Sequence, residues 1–252
     1  MKVLIFIPVY LPNTATLKNI SKFTECGYRV ILQLNSPLHL DGGKNIVMLG
    51  DGTNIGISRS INKVLYSEIC CGFEWLLFLD QDTAVDFEKL NSHIAKMGQV
   101  TDENIAAYYM RSRVFGDREI GEFVTNSGTM FNIEYLRLMG GFNENYSVDG
   151  LDYDVCIKIW LHKFKIYNIP AHDAFDHDTL QDGMNINFGR RNFNLRRYGD
   201  TRYNELDTFY YHSLLALLNK REYFLFTRLV RSFTIYRIGK ILNRIRELKI
   251  GM

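Results

Sequence analysis

The 252 residues predict an α/β fold whose first half is a parallel sheet, and two observations carry that prediction. Short apolar runs rich in branched and aromatic residues recur at Val3–Ile7, Val30–Leu34, Ile46–Leu49, Trp75–Leu79 and Ile105–Met110, and segments with helical spacing lie between them. Unbroken apolar runs of that length suit strands buried on both faces, and their alternation with helices suits parallel pairing.

Taken in order, Val3–Ile7 reads as the first buried strand, too short for a signal-peptide core. Thr14 can cap a helix that carries Leu17, Ile20 and Phe23, and Gly27 can end it. The second helix sets Ile57, Ile61, Val64 and Leu65 on an apolar face, with Ser58, Ser60, Asn62 and Lys63 largely on the other. After residue 110 the pattern changes to a strand at Phe123–Phe131, a helix near Ile133–Met139 and a break at Gly140-Gly141. A helix at Leu151–His162 and a strand at Lys165–Ile169 follow, so the second half is mixed.

The last thirty or so residues differ again. Leu225, Phe226, Leu229, Phe233, Tyr236, Ile238, Ile241, Leu242, Ile245 and Leu248 recur at helical intervals among basic residues. From Lys220 onward nine Lys and Arg stand against Glu222 and Glu247, a charge of +7; the whole chain is +2, so residues 1–219 carry −5. The expected division is residues 1–215 as a main domain and 216–252 as a basic amphipathic helical appendage. The tail's alternatives are contact with an anionic membrane surface or packing on its own domain or on a second copy of the chain. Nucleic acid is not an expected partner, because an acidic body and an aliphatic-rich tail do not suit phosphate tracking.

Composition excludes other classes. A hydrophobic share of 46% with 23% charged residues is that of a globular protein able to bury a core. No apolar run nears the roughly 18 residues that cross a bilayer. Cys26, Cys70, Cys71 and Cys156 form no C-x-x-C pair and read as structural thiols of a reducing compartment, so the expected location is cytoplasmic, with the inner face of the cell membrane as the tail's possibility.

The sharpest chemical signal is the run from Leu76 to Thr83, where an apolar strand ends in Asp80-Gln81-Asp82. In open α/β sheets ligands gather at the carboxyl ends of strands, and paired hard oxygens suit Mg²⁺ or Mn²⁺ shared with substrate phosphates. The same residues also make common turns and caps. Farther on, Asp149, Asp152 and Asp154 cluster where a helix begins. There Asp149 can cap the helix while the others complement its dipole, or one carboxylate can act as a general base. His177 lies among Asp173, Asp176, Asp178 and Asp182, a group that also reads as a solvated acidic loop.

Several short motifs in fixed order resemble glycosyltransferase family 2, and most closely its bacterial rhamnosyltransferase-like members, over about residues 1–200. They are Ile7-Pro8-Val9-Tyr10, Asn54-Ile55-Gly56-Ile57 with Asn62, the run from Trp75 to Thr83, and Thr125-Asn126-Ser127-Gly128-Thr129. Gly140-Gly141-Phe142-Asn143-Glu144, the run from Asp149 to Asp154, and His177 complete the set. The resemblance implies a GT-A fold, a Rossmann-like mixed sheet flanked by helices that binds a nucleotide sugar, here with the C-terminal helical appendage. It implies that Pro8, Val9 and Tyr10 line the nucleotide pocket with Asn54 and Asn62 near the base or ribose, and that Asn35, Gln81, Ser127 and Gly128 belong to the same donor site. Asp80 would approach ribose and metal, Asp82 would coordinate the metal, and His177 would add a ligand. Asp152 would be the general base, with Asp149 its alternative.

The implied reaction is inverting transfer of a sugar, rhamnose by resemblance, from a dTDP- or UDP-sugar to a glycan or lipid-linked glycan of O-antigen or capsule type. Three departures bear on the donor. Leu32-Gln33-Leu34-Asn35-Ser36 stands where the family's second strand commonly ends in Asp, Leu151 where many members have Glu, and Lys158 where many have Arg. The competing readings are a nucleotidyltransferase and a catalytically silent nucleotide- or membrane-binding module. A dinucleotide-binding dehydrogenase or a phosphate-loop NTPase is excluded, because Pro8-Val9-Tyr10-Leu11-Pro12 replaces any Gly-rich loop after the first strand.

Overall fold

The computed structural model of the protein describes residues 1–38, 43–110, 118–121, 123–169, 174–176, 183–188, 191–196 and 200–250. It divides into two compact units, Met1–His177 and Asp178–Met252.

In the first unit β1 (Val3–Val9) is buried along its whole length and leads through α1 (Thr14–Glu25) to β2 (Arg29–Leu34). Then come β3 (Ile46–Leu49), α2 (Ile57–Leu65), β4 (Trp75–Phe78), the short β5 (Ala84–Val85) and α3 (Phe87–Met97). The remainder is β6 (Ile105–Tyr109), β7 (Arg118–Ile120), β8 (Thr129–Asn132), α4 (Ile133–Leu138), α5 (Leu151–Leu161), β9 (Lys165–Asn168) and β10 (Phe175–Asp176). One sheet runs in the order β3-β2-β1-β4-β8-β6-β9-β7, and β10 pairs separately with β5.

The sheet is parallel from β3 to β4 and mixed beyond, because β8 runs antiparallel to both β4 and β6. Its central β1 and β4 are continuous apolar runs because both faces are covered. Val3, Ile5, Ile7 and Val9 pack with Ile20 and Phe23 of α1 and Leu90 and Met97 of α3, while the intervening Phe6 meets Phe78 at 5.7 Å between ring centroids.

Four local expectations change. Asn13, not Thr14, caps α1, its Oδ1 accepting from the Thr16 N–H at 2.9 Å. The strand expected over Phe123–Phe131 begins only at Thr129, because a tight turn at 126–128 takes the chain across the ends of β4 and β6. In α2 the residues assigned to the outer face, Ser58, Ser60 and Asn62, are buried. Helix α3 is absent from the sequence reading, although Asp86 caps it by accepting from the Lys89 N–H and Leu90 and Met97 are buried on it.

The second unit holds a β-hairpin, β11 (Gly183–Phe188) with β12 (Arg191–Arg196), and two helices, α6 (Asp200–Asn219) and α7 (Tyr223–Ile250). The expected boundary at 215/216 falls inside α6. The helices run antiparallel along a seam of Tyr203, Leu206, Tyr210 and Leu217 against Leu225, Leu229, Tyr236 and Asn243. Among the described residues no helix is long and apolar enough to cross a membrane.

Candidate functional site

The carboxyl ends of β1, β2 and β4 lie side by side, and the chain leaving each is tied to its neighbours. Past β1, the Tyr10 N–H donates to Gln81 Oε1 and Gln81 Nε2 donates back to the Tyr10 carbonyl, both at 2.7 Å. Gln81 therefore clasps the backbone of the loop that leaves β1. The Asn35 N–H reaches the Val9 carbonyl at 2.8 Å and the Leu11 N–H reaches Ser36 Oγ at 2.8 Å, so the β2 exit is fixed to the same loop. Pro8 and Val9 are buried, whereas the Tyr10 side chain is half exposed beside them.

Asp80, Gln81, Asp82 and Thr83 form a turn closed by the Thr83 N–H on the Asp80 carbonyl at 3.1 Å. Helix α1 and the chain before β8 both support it. Thr16 Oγ1 donates to the Gln81 carbonyl, Asn19 Nδ2 to the Thr83 carbonyl, and the Asp80 N–H to Ser127 Oγ at 3.0 Å. A buried Thr83 hydroxyl lies 2.9 Å from the same Ser127 oxygen. Asp82 at the tip is exposed and Asp80 half-buried. The two carboxylates thus ride on a backbone with little freedom, which is the condition for a preorganised charged site.

Ser127 belongs to a second turn, closed by the Thr129 N–H on the Asn126 carbonyl at 2.9 Å. Gly128 has φ +79°, which a side chain would strain, and its N–H binds the Phe78 carbonyl. The neighbouring Asn126 N–H donates to Asp152 Oδ1 at 3.0 Å. One turn thereby holds the Asp80 backbone on one side and the Asp152 carboxylate on the other.

Asp152 stands at the second position of α5, where negative charge meets the positive end of the helix dipole. The cap is Gly150 in the left-handed conformation with no side-chain cap bond, so the capping role open to Asp149 in the sequence is not taken up. Asp154 pairs with Lys158 at 3.2 Å, and Lys158 also donates to the Gly141 carbonyl at 2.8 Å. Burial pushes the Asp154 carboxyl above its ordinary range, with Lys158 offsetting part of the rise. Asp154 is therefore committed to bracing the helix.

Asn54 is exposed and its Oδ1 accepts from the Gly56 N–H, a local turn that sets the start of α2. Asn62 is only 7% exposed, and its amide is engaged with the loop before α5. Nδ2 donates to the Phe142 carbonyl and Glu144 Oε1, and Oδ1 accepts from the Phe142 N–H, each at 2.9 Å. Ser58 Oγ donates to the Tyr146 carbonyl at 2.6 Å, and the Ile57 N–H meets the Ser147 carbonyl. This explains the burial of the polar side of α2: its residues grip the 142–147 loop that delivers Asp149 and Asp152.

The sequence reading quotes Asn126 in a motif without giving it a role. It is 3% exposed, and neither side-chain amide atom meets a partner among the described residues. An Asn between Thr125 and Ser127 reads as a turn former, so burial alone marks it. Asn35 and Gln33 share this property through one oxygen each at the end of β2. His177 lies outside the described residues.

Among the described residues no three His, Cys, Asp or Glu side chains gather as a closed metal cage. Asp80 and Asp82 carry hard oxygens of the type that Mg²⁺ or Mn²⁺ prefers, so their chemistry fits either ion. Two clefts of about 530 and 520 Å³ open at the far, amino end of β4 and β6, lined by Asp102, Trp75 and Tyr167 among others. Chemistry, not volume, selects the carboxyl end.

No protein-family model and no curated protein matches the chain by sequence. Solved structures do match. Staphylococcus aureus TarS 1–349 superposes with a TM-score of 0.50 at 14% identity, over 69% of this chain and 59% of that one. The same protein in complex with UDP gives 0.50 at 16% identity over the same shares. The chain thus spans about three fifths of the length of TarS 1–349. The catalytic domain of Drosophila β1,4-galactosyltransferase 7 with xylobiose also matches, at 10% identity and TM-score 0.47 over 81% of this chain and 79% of that one, too distant to argue from. The likeness to TarS 1–349 establishes the fold, a GT-A-type mixed α/β sheet flanked by helices; two further helices stand at the C-terminal end.

Proposed function

We propose that the protein is a metal-dependent, inverting glycosyltransferase that moves a sugar from a nucleoside diphosphate donor to an acceptor hydroxyl. The observation that carries this reading is the 125–129 turn, which holds Asp80 through Ser127 and Asp152 through Asn126. Two carboxylate centres suited to different tasks are thereby fixed at one end of the sheet. The shared fold with TarS 1–349, solved with UDP, supports the nucleotide half of the reading.

Asp82 with Asp80, and His177 by resemblance, would hold Mg²⁺ or Mn²⁺. The ion, when bound, supplies positive charge against the diphosphate leaving group. Pro8, Val9, Tyr10 and Asn35 form the nucleotide side. An amide at Asn35 offers a donor and an acceptor together, matching the N3–H and O4 edge of uracil or thymine, and favours a UDP- or dTDP-sugar. Ser127 and Gly128 shape the floor between the two carboxylate centres. Asp152, oriented through Oδ1, takes the proton of the acceptor hydroxyl as that oxygen attacks the anomeric carbon opposite the leaving group, which inverts the configuration. Rhamnose as the sugar, and a lipid-linked or polysaccharide glycan as the acceptor, rest on the resemblance to rhamnosyltransferases. An acceptor carried on lipid would bring the enzyme to a membrane surface from the cytoplasmic side.

Titration calorimetry with UDP and dTDP, with and without Mn²⁺, tests the reading. Wild-type protein should bind nucleotide in a Mn²⁺-dependent way, and Asp82→Ala should lose that binding while melting unchanged. Undiminished binding by Asp82→Ala overturns the metal assignment. Turnover that releases pyrophosphate rather than a nucleoside diphosphate makes the protein a nucleotidyltransferase instead.

A further inference from the structure

Helix α7 has two faces, and the outer one carries an exposed aliphatic row. Its inner seam follows intervals of four and three through Leu225, Leu229, Ser232, Tyr236, Gly239 and Asn243, the spacing of a helix packed along a partner. Beside buried Leu225 and Leu229 that seam is closed by polar bonds. Tyr236 Oη lies 2.9 Å from both the Tyr203 carbonyl and Asp207 Oδ1 and shares its one proton between them, Asn243 Nδ2 donates to Tyr203 Oη at 3.1 Å, and Tyr210 Oη meets Ser232 Oγ at 2.8 Å.

On the other side of the helix Ile238, Ile241 and Ile245 are 49%, 55% and 46% exposed. At 100° per residue these three fall within an arc of about 60°, facing away from the seam. Exposed Arg231 continues the row and exposed Arg237 and Arg244 border it. Near the start of the same helix Tyr223 and Phe224 are also exposed, with the Arg228 guanidinium over the Phe224 ring at 4.6 Å.

The geometry points to this face as a docking surface for an anionic lipid bilayer, with α7 lying in the headgroup plane. An aliphatic row edged by arginines suits the boundary between acyl chains and phosphates, and each side of the arrangement needs the other to hold the protein there. Charge separates this partner from a second copy of the chain. The segment from Lys220 onward carries +7, so two copies laid face to face would oppose arginines with arginines, while phosphate headgroups neutralise them. Nor does α7 enter as a span, since it is not apolar enough to cross a bilayer. The proposal concerns only the surface on which the chain is held and stands independently of the sugar-transfer reading.

The test is co-sedimentation of the full chain with vesicles of phosphatidylcholine alone and of phosphatidylcholine with phosphatidylglycerol. Binding is expected to the anionic vesicles only. It should fall on going from about 0.1 M to about 1 M salt, as the screening length shrinks from about 10 Å to about 3 Å. The variant Ile238→Glu/Ile241→Glu/Ile245→Glu should lower vesicle partitioning by about tenfold or more, with melting temperature and Mn²⁺-dependent nucleotide binding unchanged. The three sites are exposed, so the hairpin keeps its seam. No binding of wild-type protein to anionic vesicles, or equal binding by the triple variant, overturns the proposal. So does light scattering that shows a wild-type dimer dissociated by the triple variant, which would make the face a subunit interface.

Discussion

The two units of the chain solve the same burial problem in opposite ways. In the sheet unit the strands are apolar on both faces, and polar residues enter the interior where they can saturate a loop, as Asn62 and Ser58 of α2 do for residues 142–147. In the helical hairpin the interior seam mixes leucines with hydrogen-bonded Tyr, Ser and Asn side chains, and the aliphatic residues of α7 at 238, 241 and 245 stay outside. The difference teaches that hydrogen-bond satisfaction decides which residues are buried as much as hydrophobicity does. It also marks two kinds of surface: one where polar groups are aimed for chemistry, and one where apolar groups are left for a partner.

The largest expected effect lies at the sheet end. Asp152→Asn should keep nucleoside diphosphate affinity while turnover falls by roughly 10²-fold or more, the scale for loss of a general base. Asp149→Asn is the control, because Asp149 neither caps α5 nor accepts the Asn126 N–H. If Asp149→Asn is crippled and Asp152→Asn is not, the base has been assigned to the wrong carboxylate.

A second set of variants contrasts three sites by stability. Asn62→Ala removes an amide that satisfies both polar groups of Phe142, and should cost about 2–4 kcal/mol in urea unfolding. Asn126→Ala removes an equally buried amide whose atoms meet no partner among the described residues, so unfolding should shift by less than about 1 kcal/mol. The Asn126 N–H that holds Asp152 survives this substitution, so a fall in kcat/KM with stability intact would identify the side chain as a contact to substrate. Ile241→Asn, on the outer face of α7, should be nearly neutral. A cost at Ile241 matching that at Asn62 would erase the distinction between the two units.

The same contrast explains what the sequence discloses. Runs such as Val3–Ile7 and Trp75–Leu79 are legible because burial on both faces leaves no polar interruption, and Asp80 and Asp82 are legible because they end such a run. The polar side of α2 misleads, since its partners are backbone atoms some 80 residues away, and no local pattern encodes them. The 126–128 turn is signalled by Asn126, Ser127 and Gly128, which the apolar residues on either side outweigh in the strand expected over Phe123–Phe131. In α7 the helical spacing is correct but the inward face is not evident, because Ser232 and Asn243 turn inward to bond Tyr210 and Tyr203 of another helix. The alternation of Asn with Met184, Ile186, Phe193 and Leu195 in β11 and β12 is a period-two pattern that the sequence reading passes over.

The smallest expected effect tests the hairpin seam by pH. Partial burial raises the Asp207 carboxyl, but hydrogen bonds from Lys240 and Tyr236 and the charges of Lys240 and Arg237 outweigh it and hold the group below its ordinary range. A carboxyl depressed in the folded state stabilises it fully above the unfolded value, near 4, and that contribution is lost as pH falls through the lower folded value. Asp207 remains about one third exposed, so solvent screening keeps the contribution small, within about 1 kcal/mol. Unfolding of wild-type protein and Asp207→Asn should therefore differ modestly at pH 7 and converge towards pH 3. A difference that persists unchanged at pH 3 would show that Asp207 acts through neutral hydrogen bonding to Tyr236 rather than through its charge. The polar seam would then owe its stability to the same satisfied amides and hydroxyls that brace α2, with no electrostatic part of its own.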